Sequence, residues 1–352
     1  MGSVKDLEVV EKPTGGAMGV GRFHFSDRYS VFDWGEMPDH IGCKGDALCL
    51  MGAYCFEKLE EAGISSHYRG LVDENGRVVR FKELSTPTSM MDVALVNVYR
   101  PEARSVRGKV EYDYGIYTSD LRNCLIPLEV IYRNGLPEGS SVFRRLEQGK
   151  ASLMDFGLDH YPRPGERFAR PIFDVSTKLE DTDRYVTWAE AQLISGLTES
   201  ELVAVKGVLG EVDEVVSRLA GQAGLENEDG KIELAFDELR RIMVVDVVGT
   251  LDECRFTYEG VHVSKEVARQ FYKKTSWYAD VEEAKRVAEA HGVREWRGLC
   301  RSQPPRLDLE LKALIGEMYM AGANDTTGCR MFDVPCLGKV IKKYRDYISG
   351  QK

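Results

Sequence analysis

Lys231, Glu233, Asp246, Asp252 and Arg255 all fall between Asp229 and Arg255, in a segment whose pattern would bring several of them together. Lys231-Ile-Glu233-Leu-Ala-Phe236 and Ile242-Met-Val-Val-Asp246 alternate or run apolar over strand lengths. The short polar stretch between them makes this a hairpin signature. With residues 237–240 as the turn, Lys231 lies opposite Asp246, and Glu233 sits two residues along on the same face. A lysine and two carboxylates on one patch can seat a metal-bound nucleotide phosphate. A cross-strand salt bridge on a solvated face is the other reading, and on spacing alone the commoner one.

Three further segments carry polar residues that a simple fold would not need. The first is Ser26-Asp-Arg-Tyr-Ser30-Val-Phe-Asp33, followed by Cys43-Lys44-Gly45. The second is Ile126-Pro-Leu-Glu129-Val-Ile-Tyr-Arg133-Asn134, followed by Gly139-Ser140-Ser141 and Arg144-Arg145. Glu129 and Arg133 alternate onto one face of an otherwise apolar strand, where charges require partners or a ligand. Arginines beside Gly-Ser backbone and hydroxyl donors can cradle a phosphate. The third is Asp174-Val-Ser176-Thr177-Lys178, with Asp181 and Asp183 beyond it. Taken singly, each segment serves equally well as turn chemistry or a surface ion pair.

The elements that must position these residues are strand-rich at first and mixed later. Leu7–Val10, Gly21–Phe25, Val78–Phe81, Met91–Val98 and Lys109–Tyr117 read as strands, with a turn at 73–76. Leu48, Met51, Tyr54, Cys55 and Leu59 give 46–62 a helical period, stopped at Gly63. Leu125–Tyr132 reads as a strand ending in an Arg133-Asn134-Gly135 turn, and 162–171 as a loop. A long helix is expected over 198–221, a helix capped by Ser264, and helices near 280–291 and 307–321 before an exposed basic tail. The fold class is therefore α+β or mixed α/β, not a regular βαβ alternation. Expected divisions are 1–125 as an N-terminal nucleotide-binding lobe, 126–275 as a substrate and metal lobe, and 276–352 as a helical C-terminal segment.

The 352 residues carry a formal charge of −10, which argues against nonspecific nucleic-acid binding. No apolar run reaches membrane-spanning length, and nothing at the N-terminus reads as a targeting segment. Eight scattered cysteines, none in a Cys-x-x-Cys pair, point to reduced thiols in a cytoplasmic protein. The six histidines are equally dispersed and read as structural. A homo-oligomer is compatible with all of this.

Set in order, these motifs resemble one family, the SAICAR synthetases (phosphoribosylaminoimidazole-succinocarboxamide synthases). Gly2-Ser-Val-Lys5-Asp6 is similar to the start of the family's nucleotide loop. Ser26–Asp33 with Lys44-Gly45 resembles its first signature, and Ile126–Asn134 with Gly139-Ser140 its second. Ser176-Thr-Lys178 matches its Ser-Thr-Lys segment. Asp229-x-Lys231-x-Glu233, Asp246 and Thr250-x-Asp252-x-x-Arg255 resemble its metal and substrate hairpin. The resemblance implies two lobes around an ATP-grasp-like nucleotide cleft. It implies ligation of L-aspartate to carboxyaminoimidazole ribonucleotide through a carboxylate phosphorylated by Mg-ATP. Glu233 and Asp246 would hold Mg2+. Lys178 and Lys231 would be catalytic and, with Lys5, would bind nucleotide. Ser30, Asp33, Lys44, Glu129, Arg133, Ser140, Asp183, Asp252 and Arg255 would bind the substrates.

The sequence departs from the family pattern at Ser3, Val247 and Leu251, by one extra residue between Arg133 and Gly139, and in Thr182-Asp183-Arg184-Tyr185. Leu225-Glu-Asn-Glu228 stands where a buried apolar strand is expected, which predicts a displaced or solvated strand. These departures leave room for a related ligase with another carboxylate or amine, as in secondary metabolism, or for a non-catalytic nucleotide-binding homologue.

Overall fold

The computed structural model describes residues 4–106, 109–263, 265–293 and 295–350; Gly2, Ser3 and the expected Ser264 cap lie outside them. Strands β1 (Lys5–Glu11) and β2 (Gly19–Phe25) lead into helix α1 (Lys44–Glu61). β3 (Tyr68–Val72), β4 (Val78–Val79) and β5 (Met90–Leu95) complete an antiparallel sheet of order β1-β2-β5-β3-β4. β6 (Glu102–Val106) and β7 (Lys109–Asp113) form a separate ribbon. Then come β8 (Cys124–Leu136), α2 (Ser141–Glu147), β9 (Glu166–Thr177), α3 (Trp188–Ser195) and α4 (Glu199–Gln222). β10 (Glu226–Phe236), β11 (Ile242–Val245), β12 (Cys254–Tyr258) and β13 (Val261–Val263) follow, and the chain closes with α5 (Lys265–Tyr272), α6 (Ser276–His291), α7 (Leu309–Thr327) and α8 (Leu337–Gly350). The second sheet has the order β13-β12-β10-β8-β9, with β11 also on β10.

Local chemistry accounts for most boundaries. α1 ends where Gly63 takes φ +84°, a conformation that side chains resist. α4 starts at a capping box: Thr198 accepts from the Glu201 amide while Glu201 reaches back to the Thr198 amide. Val205, Leu209, Val212, Val216 and Leu219 then form the buried stripe of α4. The two sheets are stitched together through residues 65–67. Val244 donates to Ser65 (2.9 Å), His67 donates to Val244 (3.0 Å) and Ala94 donates to His67 (2.7 Å).

Four expectations need correction. β8 runs through Arg133-Asn134-Gly135 instead of turning, because Asn134 is absorbed as a bulge against β9 and its amide donates to Asp213 (2.7 Å). β9 begins at Glu166, inside the expected loop. The supposed exposed tail is α8, whose Leu337, Val340 and Ile341 are buried. The strand at 226–229 is not displaced, and past the exposed Glu226 it is not solvated, since Asn227, Glu228 and Asp229 lie buried in it with polar partners. Gly230 must be glycine here, as a Cβ would collide with the Tyr132 hydroxyl. No helix among the described residues is long and apolar enough to cross a membrane, and none of the eight cysteines forms a disulfide.

Candidate active site

Three adjacent strands supply the centre of the site. Glu129 of β8 stands directly opposite Glu233 of β10. Like charges so placed repel, so the pairing requires cations. Lys178, just past β9, donates to Glu129 (2.9 Å) and lies 2.7 Å from Glu233, while Lys231 donates to Glu129 (2.8 Å). Burial opposes ionisation of Glu129, but the two lysines outweigh it and hold the carboxyl below its usual range. Burial likewise penalises both ammonium groups, and the surrounding carboxylates more than compensate, raising both pKa values.

The hairpin forms, but one residue away from the expected register. Glu233 pairs with Val245, because the turn holds five residues, 237–241. Asp237 sets that length: its carboxylate accepts from the Leu239 and Arg241 amides, and Arg240 takes φ +61°. A one-residue shift reverses which side chains share a face. Asp246 escapes this by leaving the strand at φ +64°, and its carboxylate pairs with Lys5 of β1 (2.7 Å). Burial, reinforced by Asp246, pushes the Glu233 carboxyl up to about 7. Burial opposes ionisation of Asp246 as well, but Lys5 outweighs that effect and lowers its pKa.

A second cluster lies farther along the same strands. Asp229 sits between Arg133 on β8 and Arg255 on β12, and accepts from both (3.2 and 2.8 Å). Arg133 also donates to Asp174 of β9 (2.8 Å), which takes two bonds from Arg145 (2.6 and 3.2 Å). Three guanidinium groups thus face two carboxylates.

Asp252 has a third environment. Its carboxylate forms an ion pair with the fully buried Lys44 (2.8 Å), meeting the ammonium off the hydrogen-bonding direction. It also accepts from the Tyr319 hydroxyl of α7 (2.6 Å). Burial alone would raise the pKa of Asp252; Lys44, Lys265 and Tyr319 together depress it.

A cavity of about 370 Å³ opens between these clusters, lined by Glu129, Arg133, Asp183, Lys231, Asp252 and Arg255 among others. Lys178, Glu233, Asp246 and Lys5 adjoin it through the Glu129–Lys178 and Lys178–Glu233 contacts. Asp183 stands open to the cavity, yet enough protein surrounds it that loss of hydration, reinforced by Glu129, pushes its carboxyl up to about 6. Four of the expected substrate-binding residues do not line the cavity. Ser140 caps α2 by accepting from the Val142 amide, and Ser141 takes its place. Lys44 supports Asp252 from behind, Asp33 pairs with Lys285 at the surface (2.8 Å), and Ser30 lies outside the lining. Sequence reasoning missed Tyr319, Lys265, Arg269, Glu253 and Tyr185 as site residues. Tyr319 carries no local signal, since one aromatic on a buried helix face reads as core.

The SAICAR synthetase family model matches residues 16–287. The chain belongs to the SAICAR synthetase family. These enzymes are ATP-dependent carbon–nitrogen ligases of purine biosynthesis, and this chain has that enzyme class. An Archaeoglobus fulgidus protein provisionally named phosphoribosylaminoimidazole-succinocarboxamide synthase is 49% identical over 349 residues, covering 99% of this chain and 100% of the relative. A Thermoplasma volcanium phosphoribosylaminoimidazole-succinocarboxamide synthase is 31% identical, covering 87% and 92%. The fold is that of the Saccharomyces cerevisiae SAICAR-synthase complexed with SAICAR (TM-score 0.62, 20% identity, 94% of each chain). A Type-2 SAICAR synthetase in complex with ADP gives a TM-score of 0.54 at 18% identity, covering 87% and 99%. Within this family's fold, the departures at Val247 and Leu251 are packing residues. Val247 faces Gly52 of α1, and Leu251 packs where Gly322 of α7 leaves room.

Proposed function

We propose that this chain joins L-aspartate to carboxyaminoimidazole ribonucleotide, using Mg-ATP to phosphorylate the ribonucleotide's carboxylate. Glu129, bridged by Lys178 and Lys231 beside the Glu233–Asp246 pair, carries this reading. The transferring phosphoryl group needs positive charge fixed in advance of reaction. The two lysines supply it, already oriented by Glu129. Lys5 extends the positive charge along β1, on the side where an ATP-grasp-like cleft would hold the nucleotide.

The donor set fits Mg2+, which characteristically takes one or two carboxylates and completes its shell with water and phosphate oxygens. Glu233 and Asp246 would be those two acids, since their mutual repulsion favours a bound divalent cation. When bound, the ion would neutralise phosphate charge. At the other end, Arg133, Arg255 and Ser141 would receive the ribonucleotide phosphate. Arg133 lines the cavity, and its buried Nε has no hydrogen-bond partner among the described residues. Asp252 would accept from the ribonucleotide, and Asp183 would take the proton that the aspartate amine must lose. Eight unpaired thiols support a cytoplasmic setting.

The test is ADP release and amide formation with the imidazole ribonucleotide, with and without aspartate and magnesium. Turnover that requires both supports the proposal. Turnover that ignores aspartate and responds to another amine selects the related-ligase reading, and nucleotide binding without turnover selects the non-catalytic one.

A further inference from the structure

The Arg144-Arg145 pair, which the sequence offers as part of a phosphate cradle, splits in the structure. Arg145 turns inward to Asp174, 9% exposed. Arg144 turns the other way, into a separate cavity of about 340 Å³ lined by Arg144, Arg145, Gln148, Lys150, Arg184 and Tyr185, with Glu289 of α6 as the one carboxylate in its wall. Four cationic side chains thus surround one hollow in a chain of net charge −10. Their commitments differ. Arg145 is held by Asp174, and Arg184 is shared between Glu180 and Glu190. The side chains of Arg144 and Lys150 make no ion pair or hydrogen bond among the described residues. Guanidinium and ammonium groups converging with an amide form the donor set that recognises a phosphate group.

Tyr185 is the wall between this hollow and the substrate cavity, since it lines both. Its hydroxyl accepts from Ser141 (2.9 Å), which lines the substrate cavity. Its ring lies under the Arg145 guanidinium, 4.0 Å from the centroid. Arg145 in turn shares Asp174 with Arg133. An anion drawn to Arg144, Lys150 and Arg184 would therefore act on the side chains that orient Ser141 and Arg133.

We propose that this basic hollow is a second, regulatory site for a phosphate-bearing ligand, coupled through Tyr185 to the ribonucleotide end of the active site. It is distinct from the substrate site, so its occupancy is measurable without turnover. The sources differ in size: free inorganic phosphate uses the cationic donors alone, whereas a nucleoside monophosphate would also use the cavity's remaining volume.

The experiment is calorimetric titration of inorganic phosphate, and separately of AMP, into the full chain held saturated with ADP and the imidazole ribonucleotide at constant ionic strength. Wild type should bind one further phosphate, and Arg144→Ala/Lys150→Ala should bind it at least tenfold more weakly. AMP tighter than phosphate identifies a nucleotide effector; equal affinity identifies free phosphate. Both substituted residues are exposed, and the variant's circular dichroism and phosphate-free turnover should match wild type. Phosphate should shift the ribonucleotide KM in wild type and leave it unmoved in the variant. No further phosphate bound by wild type, or equal binding by the variant, overturns the site. Binding lost in the variant with identical phosphate effects on KM overturns the coupling.

Discussion

Replacing Tyr319 by phenylalanine removes one hydroxyl, and the structure fixes what that should do. The hydroxyl donates to Asp252 at 2.6 Å, with Tyr319 fully buried and Asp252 7% exposed, so water cannot replace it without rearrangement. A hydrogen bond to a charged acceptor contributes about 1.5–3 kcal/mol net. At about 1.4 kcal/mol per factor of ten, the loss corresponds to roughly 10- to 100-fold in any equilibrium that depends on the carboxylate's orientation. Lys44 remains 2.8 Å away, so Asp252 stays ionised but is held from one side only. Tyr319→Phe should thus lower kcat/KM for the imidazole ribonucleotide by about tenfold or more, with the KM for ATP unchanged. Urea unfolding should show a loss of about 1.5–3 kcal/mol at neutral pH. The pH sign is fixed too. Asp252 has a folded pKa below its unfolded value, so its stabilisation is present above the unfolded value and lost as pH falls through the folded one. The gap between wild type and variant should therefore shrink below about pH 4. Unchanged ribonucleotide kinetics, with a stability change under about 0.5 kcal/mol, would refute the supporting role of Tyr319.

Three other outcomes follow from the same geometry. Lys178→Met leaves Glu233 without its lysine opposite Glu129, which keeps only Lys231, and should lower kcat by about 100- to 1000-fold, read from single-turnover ADP formation; a smaller effect on kcat than on the aspartate KM would remove it from the phosphoryl step. Asp246→Asn should abolish magnesium-dependent ATP binding in a calorimetric titration, and retained binding would mean that the metal assignment is wrong. Asp183 has its folded pKa raised to about 6, so its ionisation costs stability that is lost as pH rises through that value. Asp183→Asn should accordingly raise Tm at pH 8 relative to wild type and leave it unchanged at pH 4, while flattening the acid limb of kcat/KM for aspartate; a limb that persists assigns the proton to another group.

Much of the site was legible because β-strands impose a period of two. Glu129 and Arg133 in one strand, and Lys231 and Glu233 in another, could be assigned to common faces from spacing alone, and β8 and β10 pair so that Glu129 meets Glu233. The hairpin itself was readable, but its register was not. The fifth turn residue exists because the Asp237 carboxylate binds two amides, and the side-chain face is restored only by the left-handed Asp246. Asn134-Gly135 read as a turn because a bulge uses the same residue types, and only the partner strand β9 distinguishes them. The polar Asn227–Asp229 run looked solvated because its partners Asp213, Arg167 and Arg255 lie elsewhere in the chain. Tyr319 was invisible for a related reason, being 67 positions from the carboxylate it serves.

The central claim is that the ribonucleotide's carboxylate is phosphorylated before the amine attacks. Oxygen-18 placed in that carboxylate tests it most directly, with the released phosphate read by mass spectrometry. One labelled oxygen should appear in phosphate for each amide formed. Amide formed with unlabelled phosphate would contradict the account.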